Sequence, residues 1–261
     1  MAWHPDFVAS LVARGFRVIR FDNRDIGLSQ RYDHLGVPNL AIDSIKYAVG
    51  MKVTGPYTVA DMADDTAGLL DALGLQSAHV CGASMGGMIA QQLAVRHPSR
   101  VKSLTLMMTS SGWRRLPGPT MKVRSALISR PDDANNIESV IAHYVRLYKL
   151  IGSPRYPASD AYLHERLGMS VRRSYRPQGT ARQMVAIAAD GNRSELLARI
   201  KVPTQVIHGQ DDPLVPVAAG HDLVRKIAGA KIDVIDGMGH DLPVELWPRF
   251  VSGITDAAAR V

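Results

Sequence analysis

The stretch Gly82-Ala83-Ser84-Met85-Gly86 carries the strongest structural signal in this chain. It has the pattern Gly-x-Ser-x-Gly, a β-prone run over residues 78–81 leads into it, and a helix-like run over residues 87–95 follows. A sharp strand-to-helix turn lifts the central serine above the strand end, beside the free amides of the helix N-terminus. The pattern therefore predicts that Ser84 is a nucleophile. It also predicts that both flanking glycines are required, because the turn leaves no room for a Cβ atom.

A glycine-rich turn of this kind also has a purely structural interpretation. In that alternative, the Ser84 hydroxyl caps the helix and takes no part in chemistry. The two interpretations differ in what else the sequence must supply, because a serine nucleophile needs a base to take its proton and an acid to orient that base.

The composition is typical of one large globular domain. The chain has 261 residues, of which 46% are hydrophobic and 21% charged, so it is long enough for an inserted lid. The single cysteine, Cys81, excludes a disulfide framework and a cysteine-rich zinc site, and we expect it to pack in the core. No stretch approaches the roughly 18 apolar residues of a membrane span. Since the N-terminus does not resemble a signal peptide, we predict a cytoplasmic protein with no membrane partner.

The formal net charge of +7 raises the possibility of a nucleic-acid partner. The basic residues are scattered, however, and no nucleic-acid-binding motif accompanies them. We therefore predict no nucleic-acid partner. An arginine-rich surface is the simpler interpretation, and a basic lid that favours anionic substrates is the alternative. The sequence favours neither a monomer nor a homodimer.

Strands and helices alternate along most of the chain. The patterns predict helices over residues 6–13, 57–73, 217–227 and 242–259, and strands over residues 16–21, 78–81, 101–108, 204–208 and 231–235. The strand over residues 101–108 is mostly apolar, as expected where helices cover both faces of a parallel sheet. The alternation predicts an α/β protein with a mostly parallel sheet of about five strands.

The region over residues 113–190 interrupts this alternation. It is rich in proline, has helix-like segments over residues 137–150 and 181–189, and has no evident strand. We interpret it as a helical cap inserted into a core formed by residues 1–112 and 191–261. Several of its tyrosines and methionines could line a substrate pocket, although such residues at helical spacing often pack in a core. These are Tyr144, Tyr148, Tyr156, Tyr162, Met169, Tyr175 and Met184.

The acid partner of Ser84 is found by elimination. In hydrolases with this turn, an acid and then a histidine follow the serine, at the carboxyl ends of later strands. The loop after the strand over residues 101–108 holds no acid. The loop after the strand over residues 204–208 offers two, Asp211 and Asp212.

The base partner must come later still. Of the nine histidines, only His221 and His240 follow these acids. His221 lies within a predicted helix, whereas His240 follows the last predicted strand. We therefore predict that His240 is the base, and the alternative is a histidine at a helix start with no partner.

Four motifs in this order resemble the α/β-hydrolase superfamily, specifically the bacterial esterase-like group that includes the aclacinomycin methylesterases. The resemblance runs nearly end to end, and the matching stretches are residues 18–29, 82–87, 206–216 and 237–240. In this family the acid stands three residues after the strand-end glycine. Carried over from Gly209, the resemblance selects Asp212 rather than Asp211. It also implies that the loop residues Asp22, Arg24, Gly27 and Ser29 have a mostly structural role.

The resemblance implies an α/β-hydrolase fold and two-step acyl transfer on a small-molecule ester. Ser84, deprotonated by His240, attacks the carbonyl, Asp212 stabilises the imidazolium, and the Met85 backbone N–H holds the oxyanion. Water then hydrolyses the acyl-enzyme, and no metal or cofactor is required. Hydrolysis of a thioester, a lactone or a carbon–carbon bond, and perhydrolysis, use the same triad. A non-catalytic ligand-binding protein on this scaffold is a further alternative.

The resemblance also implies that the chain begins late. In the family, three strands precede the helix that begins here near Asp6, and the third ends in a glycine-rich loop that supplies the second oxyanion N–H. The first five residues are too few for these strands. We therefore expect an N-terminally truncated sheet, with the second donor missing from the chain. A misassigned start and a genuine short form of low activity both account for this.

Overall fold

Four parallel strands form the sheet of this computed structural model, which describes residues 3–261. The strands are β1 (Ala78–Ala83), β2 (Val101–Met107), β3 (Thr204–Gly209) and β4 (Lys231–Ile235), and they neighbour one another in that order. All three pairings are parallel, so the carboxyl ends of the strands lie at one edge of the sheet. The predicted α/β class with a mostly parallel sheet is confirmed.

Eleven α-helices surround this sheet within residues 3–261. They are α1 (Pro5–Val12), α2 (Leu40–Ala48), α3 (Val59–Ala72), α4 (Met85–Arg96), α5 (Met121–Leu127), α6 (Ile137–Ile151), α7 (Asp160–Arg173), α8 (Pro177–Asp190), α9 (Ser194–Leu197), α10 (Ala218–Lys226) and α11 (Trp247–Ala258). The last helix begins later than predicted, because a short 3₁₀ turn over Val244–Leu246 precedes it. Within the described range, no helix combines the length and apolarity needed to cross a bilayer.

Helix α3 shows how local sequence sets a helix boundary. The Thr58 hydroxyl accepts a hydrogen bond from the Asp61 backbone N–H, and the Asp61 carboxylate accepts one from the Thr58 N–H. This reciprocal cap satisfies two amides that otherwise lack partners at a helix start. Gly74, with a φ of +65°, follows the helix end. The helix begins two residues later and ends one residue earlier than the predicted range of residues 57–73.

Two apolar clusters lie on opposite faces of the sheet. The first joins the sheet to α3, α4 and α10 and includes Met62, Leu93, Leu106, Val206 and Leu223. The second joins the sheet to α1 and α11 and includes Phe7, Met107, Ile207, Phe250 and Ile254. Because helices cover both faces, six of the seven residues of β2 and all six of β3 are buried. Cys81 packs against the second cluster, as expected, and burial raises the pKa of its thiol to about 12.

The predicted strand over residues 16–21 is wrong, so the sheet has four strands rather than about five. A strand requires a neighbour that completes a ladder of backbone hydrogen bonds. Within the described residues, this segment has no such neighbour, and β1 is paired only with β2. The Phe16 ring still packs edge-on against the His79 ring, with centroids 5.9 Å apart, whereas Phe21 is exposed. The segment therefore has a strand-like pattern without strand pairing.

The region over residues 113–190 contains helices α5 to α8, and no strand occurs among its described residues. The two predicted helical segments correspond to α6 and α8, which are both longer than predicted. Helices α5 and α7 were not predicted. In α7, only Leu163, Gly168 and Val171 are buried, so the apolar pattern is weak. The division into a core and a cap stays a prediction.

The loop over residues 22–29 folds back on itself. Gly27 has a φ of +60°, and a Cβ atom on it would lie 2.1 Å from the Asp22 carboxyl carbon. The Ser29 hydroxyl donates to the Asp22 carbonyl at 2.6 Å. The Arg24 guanidinium forms two hydrogen bonds to Asp65 on α3, of 2.6 and 2.7 Å. These contacts support the structural role expected for the loop.

Candidate active site

Ser84 lies at the sharp turn between β1 and α4. Its backbone has a φ of +52° and a ψ of −121°, a conformation that non-glycine residues adopt only at a cost of about 1–3 kcal/mol. The turn is held from below, because the Ser84 N–H donates to the Met107 carbonyl at 2.9 Å and the Thr109 hydroxyl donates to the Ser84 carbonyl at 2.7 Å. The Ser84 hydroxyl makes no capping hydrogen bond to α4. The alternative in which Ser84 serves as a helix cap is therefore wrong.

The turn needs two glycines, but they differ from the predicted pair. A Cβ atom on Gly82 would lie 2.2 Å from the Gly86 carbonyl oxygen, and one on Gly87 would lie 2.6 Å from the Thr109 methyl carbon. A Cβ atom on Gly86 would meet nothing within 4 Å. The predicted requirement is thus met at Gly82 and wrong at Gly86, because the Cβ direction at Gly86 is open. The requirement at Gly87 was missed.

This geometry predicts different outcomes for two Gly→Ala substitutions. Gly82→Ala forces the added methyl group against backbone, so we expect a loss of about 1–3 kcal/mol in the free energy of unfolding. Gly86→Ala is the matched control, and we expect a change within about 0.5 kcal/mol. Urea denaturation of both variants measures the difference. Equal losses in the two variants would contradict the packing argument.

The structure places Ser84, His240 and Asp212 in a hydrogen-bonded series. The Ser84 Oγ lies 3.0 Å from His240 Nε2, and His240 Nδ1 lies 2.7 Å from Asp212 Oδ2. An ionised carboxylate only accepts hydrogen bonds, so the ring proton lies on Nδ1 and leaves Nε2 free to accept the Ser84 hydroxyl proton. The other Asp212 oxygen accepts the Leu214 and Val215 amides at 2.9 and 2.7 Å. His240 therefore does not stand alone at a helix start.

Asp211, the other candidate acid, points elsewhere. It is exposed, and its carboxylate accepts the Gly237 amide at 2.9 Å. It therefore ties together the loops that follow β3 and β4 but does not reach the imidazole. His221 lies within α10, as predicted.

His208, which none of the predicted motifs includes as a site residue, lies beside Asp212. Its ring is fully buried, and Nε2 lies 2.7 Å from the Val215 carbonyl and 3.7 Å from Asp212 Oδ2. Burial lowers the pKa of His208 below its ordinary value, so the ring is neutral and donates from Nε2 to Val215. Its Nδ1 has no partner among the described residues. The sequence signal that could have identified His208 is its position near the end of β3, just before Gly209.

A cavity of about 790 Å³ opens above Ser84 and His240. Five of the tyrosines predicted to line a pocket do so, namely Tyr144, Tyr148, Tyr156, Tyr162 and Tyr175. The predicted methionines, Met169 and Met184, lie outside the lining. Trp3, Phe7 and Trp247 add further apolar surface.

Charged side chains of both signs line the same cavity. They are Asp22, Arg166, Arg173, Arg176, Asp241 and Glu245. Arg173 is neutralised by Asp22, with an N–O distance of 2.7 Å. This mixture does not favour the alternative of a uniformly basic lid. Among residues 3–261, no three His, Cys, Asp or Glu side chains converge as a metal-binding group.

Comparisons with known proteins identify the fold family of this chain. Residues 2–245 match the family model of the alpha/beta hydrolase fold. Rhodomycin D methylesterase DauP from Streptomyces sp. (strain C5) is 27% identical over 271 residues, covering 97% of this chain and 85% of that protein. The 2-hydroxymuconate semialdehyde hydrolase of Pseudomonas putida is 29% identical over 201 residues, covering 75% of this chain and 67% of that protein. The crystal structure of the enol-lactonase from Burkholderia xenovorans LB400 shares the fold, with a TM-score of 0.70 and 24% identity over 97% of this chain and 86% of that one.

Proposed function

Because the chain belongs to the α/β-hydrolase fold family and is a hydrolase, we propose that it cleaves a carboxylic ester of a small molecule through an acyl-enzyme intermediate. The observation that carries this proposal is the hydrogen-bonded series Ser84–His240–Asp212, with distances of 3.0 and 2.7 Å. A serine, a histidine and a buried carboxylate in this arrangement supply the nucleophile, the base and the group that orients the base.

In the proposed mechanism, the Ser84 oxygen attacks the ester carbonyl while its proton moves to His240 Nε2. Asp212 keeps the imidazole oriented and stabilises the positive charge that develops on it. The Met85 amide, at the first turn of α4, donates to the oxyanion, because the first amides of a helix have no partner within the helix. His240 then gives its proton to the leaving alcohol, and a water molecule, activated by the same histidine, releases the acid.

We further propose that residues 113–190 act as a cap that selects the substrate. Side chains of α6 and α7 form the cavity wall beyond Ser84, and they include Tyr144, Tyr148, Leu163 and Leu167. Because this wall combines apolar rings with charged groups of both signs, we expect substrates with an apolar body and a few polar groups.

Covalent labelling tests the proposed function. We expect a fluorophosphonate probe to modify Ser84, because its phosphorus centre mimics the attacked carbonyl carbon. We expect turnover of short-chain aryl esters in the same preparation, measured over a panel of acyl lengths. A protein that binds such esters saturably without labelling at Ser84 would be a ligand-binding protein instead.

A second candidate reaction is hydrolysis of a carbon–carbon bond next to a carbonyl group. The relative from Pseudomonas putida that is named as a 2-hydroxymuconate semialdehyde hydrolase favours this reaction. The same panel should therefore include a ring-cleavage dienoate. Faster turnover of the dienoate than of every ester would support this candidate over ester hydrolysis.

A further inference from the structure

Three consecutive residues centred on His240 are hydrogen-bonded to the last residue of α6 and to Ser153, two residues beyond it. The His240 backbone N–H donates to the Ile151 carbonyl at 2.7 Å. On one side of the histidine, the Gly239 N–H donates to the Ser153 hydroxyl at 2.8 Å. On the other side, the Ser153 hydroxyl donates to the Asp241 carboxylate. One serine side chain thus joins both neighbours of the histidine.

The contact is close and buried. Ser153 is only 3% exposed, and its hydroxyl accepts one hydrogen bond and donates another. A Cβ atom on Gly239 would lie 2.4 Å from the Gly152 carbonyl oxygen, so the two backbones approach as closely as glycine permits. Burial raises the pKa of Asp241, although the hydrogen bond from Ser153 opposes this effect. The loop over residues 236–243, which follows β4 and carries His240, is called the histidine loop below. These contacts leave it little freedom to move independently of the end of α6.

Helix α6 is also a wall of the cavity. Tyr144, Tyr148 and Ile151 of this helix line the space above Ser84. A molecule in the cavity therefore touches the element to which the histidine loop is attached. Ile151 both lines the cavity and accepts a hydrogen bond from the His240 amide, so one hydrogen bond connects the cavity wall to the residue that carries the imidazole.

We propose that Ser153 is a positioning residue, which holds His240 in line with Ser84 and couples its placement to the helix that contacts the substrate. This inference rests on the proposed function. Ser153 touches neither the reacting atoms nor the imidazole, and it acts through the backbone of Gly239 and the carboxylate of Asp241. Removing its hydroxyl frees both sides of the loop, and misplacement of a catalytic group by about 1 Å can cost about 100-fold in rate.

The test compares Ser153→Ala with Ser111→Ala. Ser111 is a matched control, because its buried hydroxyl also accepts one backbone amide, from Trp113 at 3.3 Å, and donates to one carboxylate, Asp222, at 2.6 Å. We expect Ser153→Ala to lower kcat and the rate of fluorophosphonate labelling by about 10- to 100-fold, with KM changed less than about threefold. We expect Ser111→Ala to leave kcat and the labelling rate near those of the wild type.

Equal kcat values in the two variants, with similar losses of stability, would show a merely structural role and overturn the inference. A wild-type protein that is not labelled at Ser84 would overturn the proposed function, and this inference with it.

If Ser153→Ala does not fold, Asp241 supplies a second pair of variants. Asp241→Asn keeps an acceptor for the Ser153 hydroxyl and Asp241→Ala does not, so we expect kcat of Asp241→Ala to be about 10-fold lower than that of Asp241→Asn. Equal kcat values in this pair would also contradict the proposal.

Discussion

Replacement of Ser84 by alanine is expected to lower kcat for ester hydrolysis by about 10⁴- to 10⁶-fold, close to the residual rate left by binding and the oxyanion donor. The substitution removes the Oγ atom that lies 3.0 Å from His240 Nε2, and with it the group that attacks the carbonyl. The backbone contacts of the turn, to Met107 and Thr109, do not involve Oγ. We therefore expect the folded structure to persist, measured by circular dichroism and by an unchanged urea midpoint. A variant that keeps a tenth of the wild-type rate would show that Ser84 is not the nucleophile.

The two neighbouring aspartates provide a matched control within the same assay. Asp212→Asn removes the charge that faces His240 Nδ1 at 2.7 Å, and losses of about 10⁴-fold in kcat follow when such an acid becomes an amide. Asp211→Asn changes an exposed carboxylate that contacts only the Gly237 amide in the histidine loop, and we expect a change of less than about threefold. A larger loss of kcat in Asp211→Asn than in Asp212→Asn would show that Asp211 orients His240.

Replacement of Arg182 by methionine is expected to reduce the free energy of unfolding by about 3–5 kcal/mol. Arg182 is fully buried and donates two hydrogen bonds to Asp25, of 2.6 and 2.8 Å, and one each to Asp33 and the Gly36 carbonyl. Methionine fills a similar volume but leaves the Asp25 carboxylate buried without its cation. The loss follows because an unpaired buried charge is far more costly than a missing surface pair. Urea or thermal denaturation measures it.

An exposed ion pair supplies the control for this loss. The Arg146 side chain is 57% exposed and lies 3.2 Å from Asp132, which is 83% exposed. We expect Arg146→Met to change stability by less than about 1 kcal/mol. Losses of similar size at Arg146 and Arg182 would contradict the argument from burial.

The same buried pair predicts how stability depends on pH. Burial alone would raise the pKa of Asp25, but the hydrogen bonds from Arg182, the Tyr32 amide and the Tyr57 hydroxyl lower it below its ordinary value of 3.8. The carboxylate thus contributes stability that is fully present above this ordinary value and is lost as the pH falls through the lower folded-state pKa. Arg182→Met should remove this contribution, so its stability should depend less steeply on acid pH.

Local patterns predicted most of the secondary structure. Helix α3 was recognisable because its cap and its terminal glycine are close in sequence to the residues they limit. The strand over residues 16–21 was predicted wrongly. Its apolar and polar residues are patterned as in a half-buried strand, but a strand also needs a neighbouring strand to pair with. Helix α7 was missed, because only a few of its residues face a core.

The arrangement of the candidate site was partly predictable. Ser84 and His240, although 156 positions apart, were found by their order along the chain, since parallel strands bring their carboxyl ends together. The residues themselves left Asp211 and Asp212 open, and the resemblance to esterases favoured Asp212. No local signal marked Ser153, because its partners Gly239 and Asp241 lie 86 and 88 positions away.

The α/β class, the strand-to-helix turn at Ser84 and the order of the candidate triad are all properties of short segments and their succession, so they can be read from the amino-acid sequence. The need for glycine at Gly87 rather than Gly86, the aspartate that reaches the imidazole and the attachment of the histidine loop to α6 depend on distances of a few ångströms between remote segments. Such distances are set only when the chain packs. In the packed interior, neighbouring segments must fit without steric overlap, and buried polar groups must find hydrogen-bond partners.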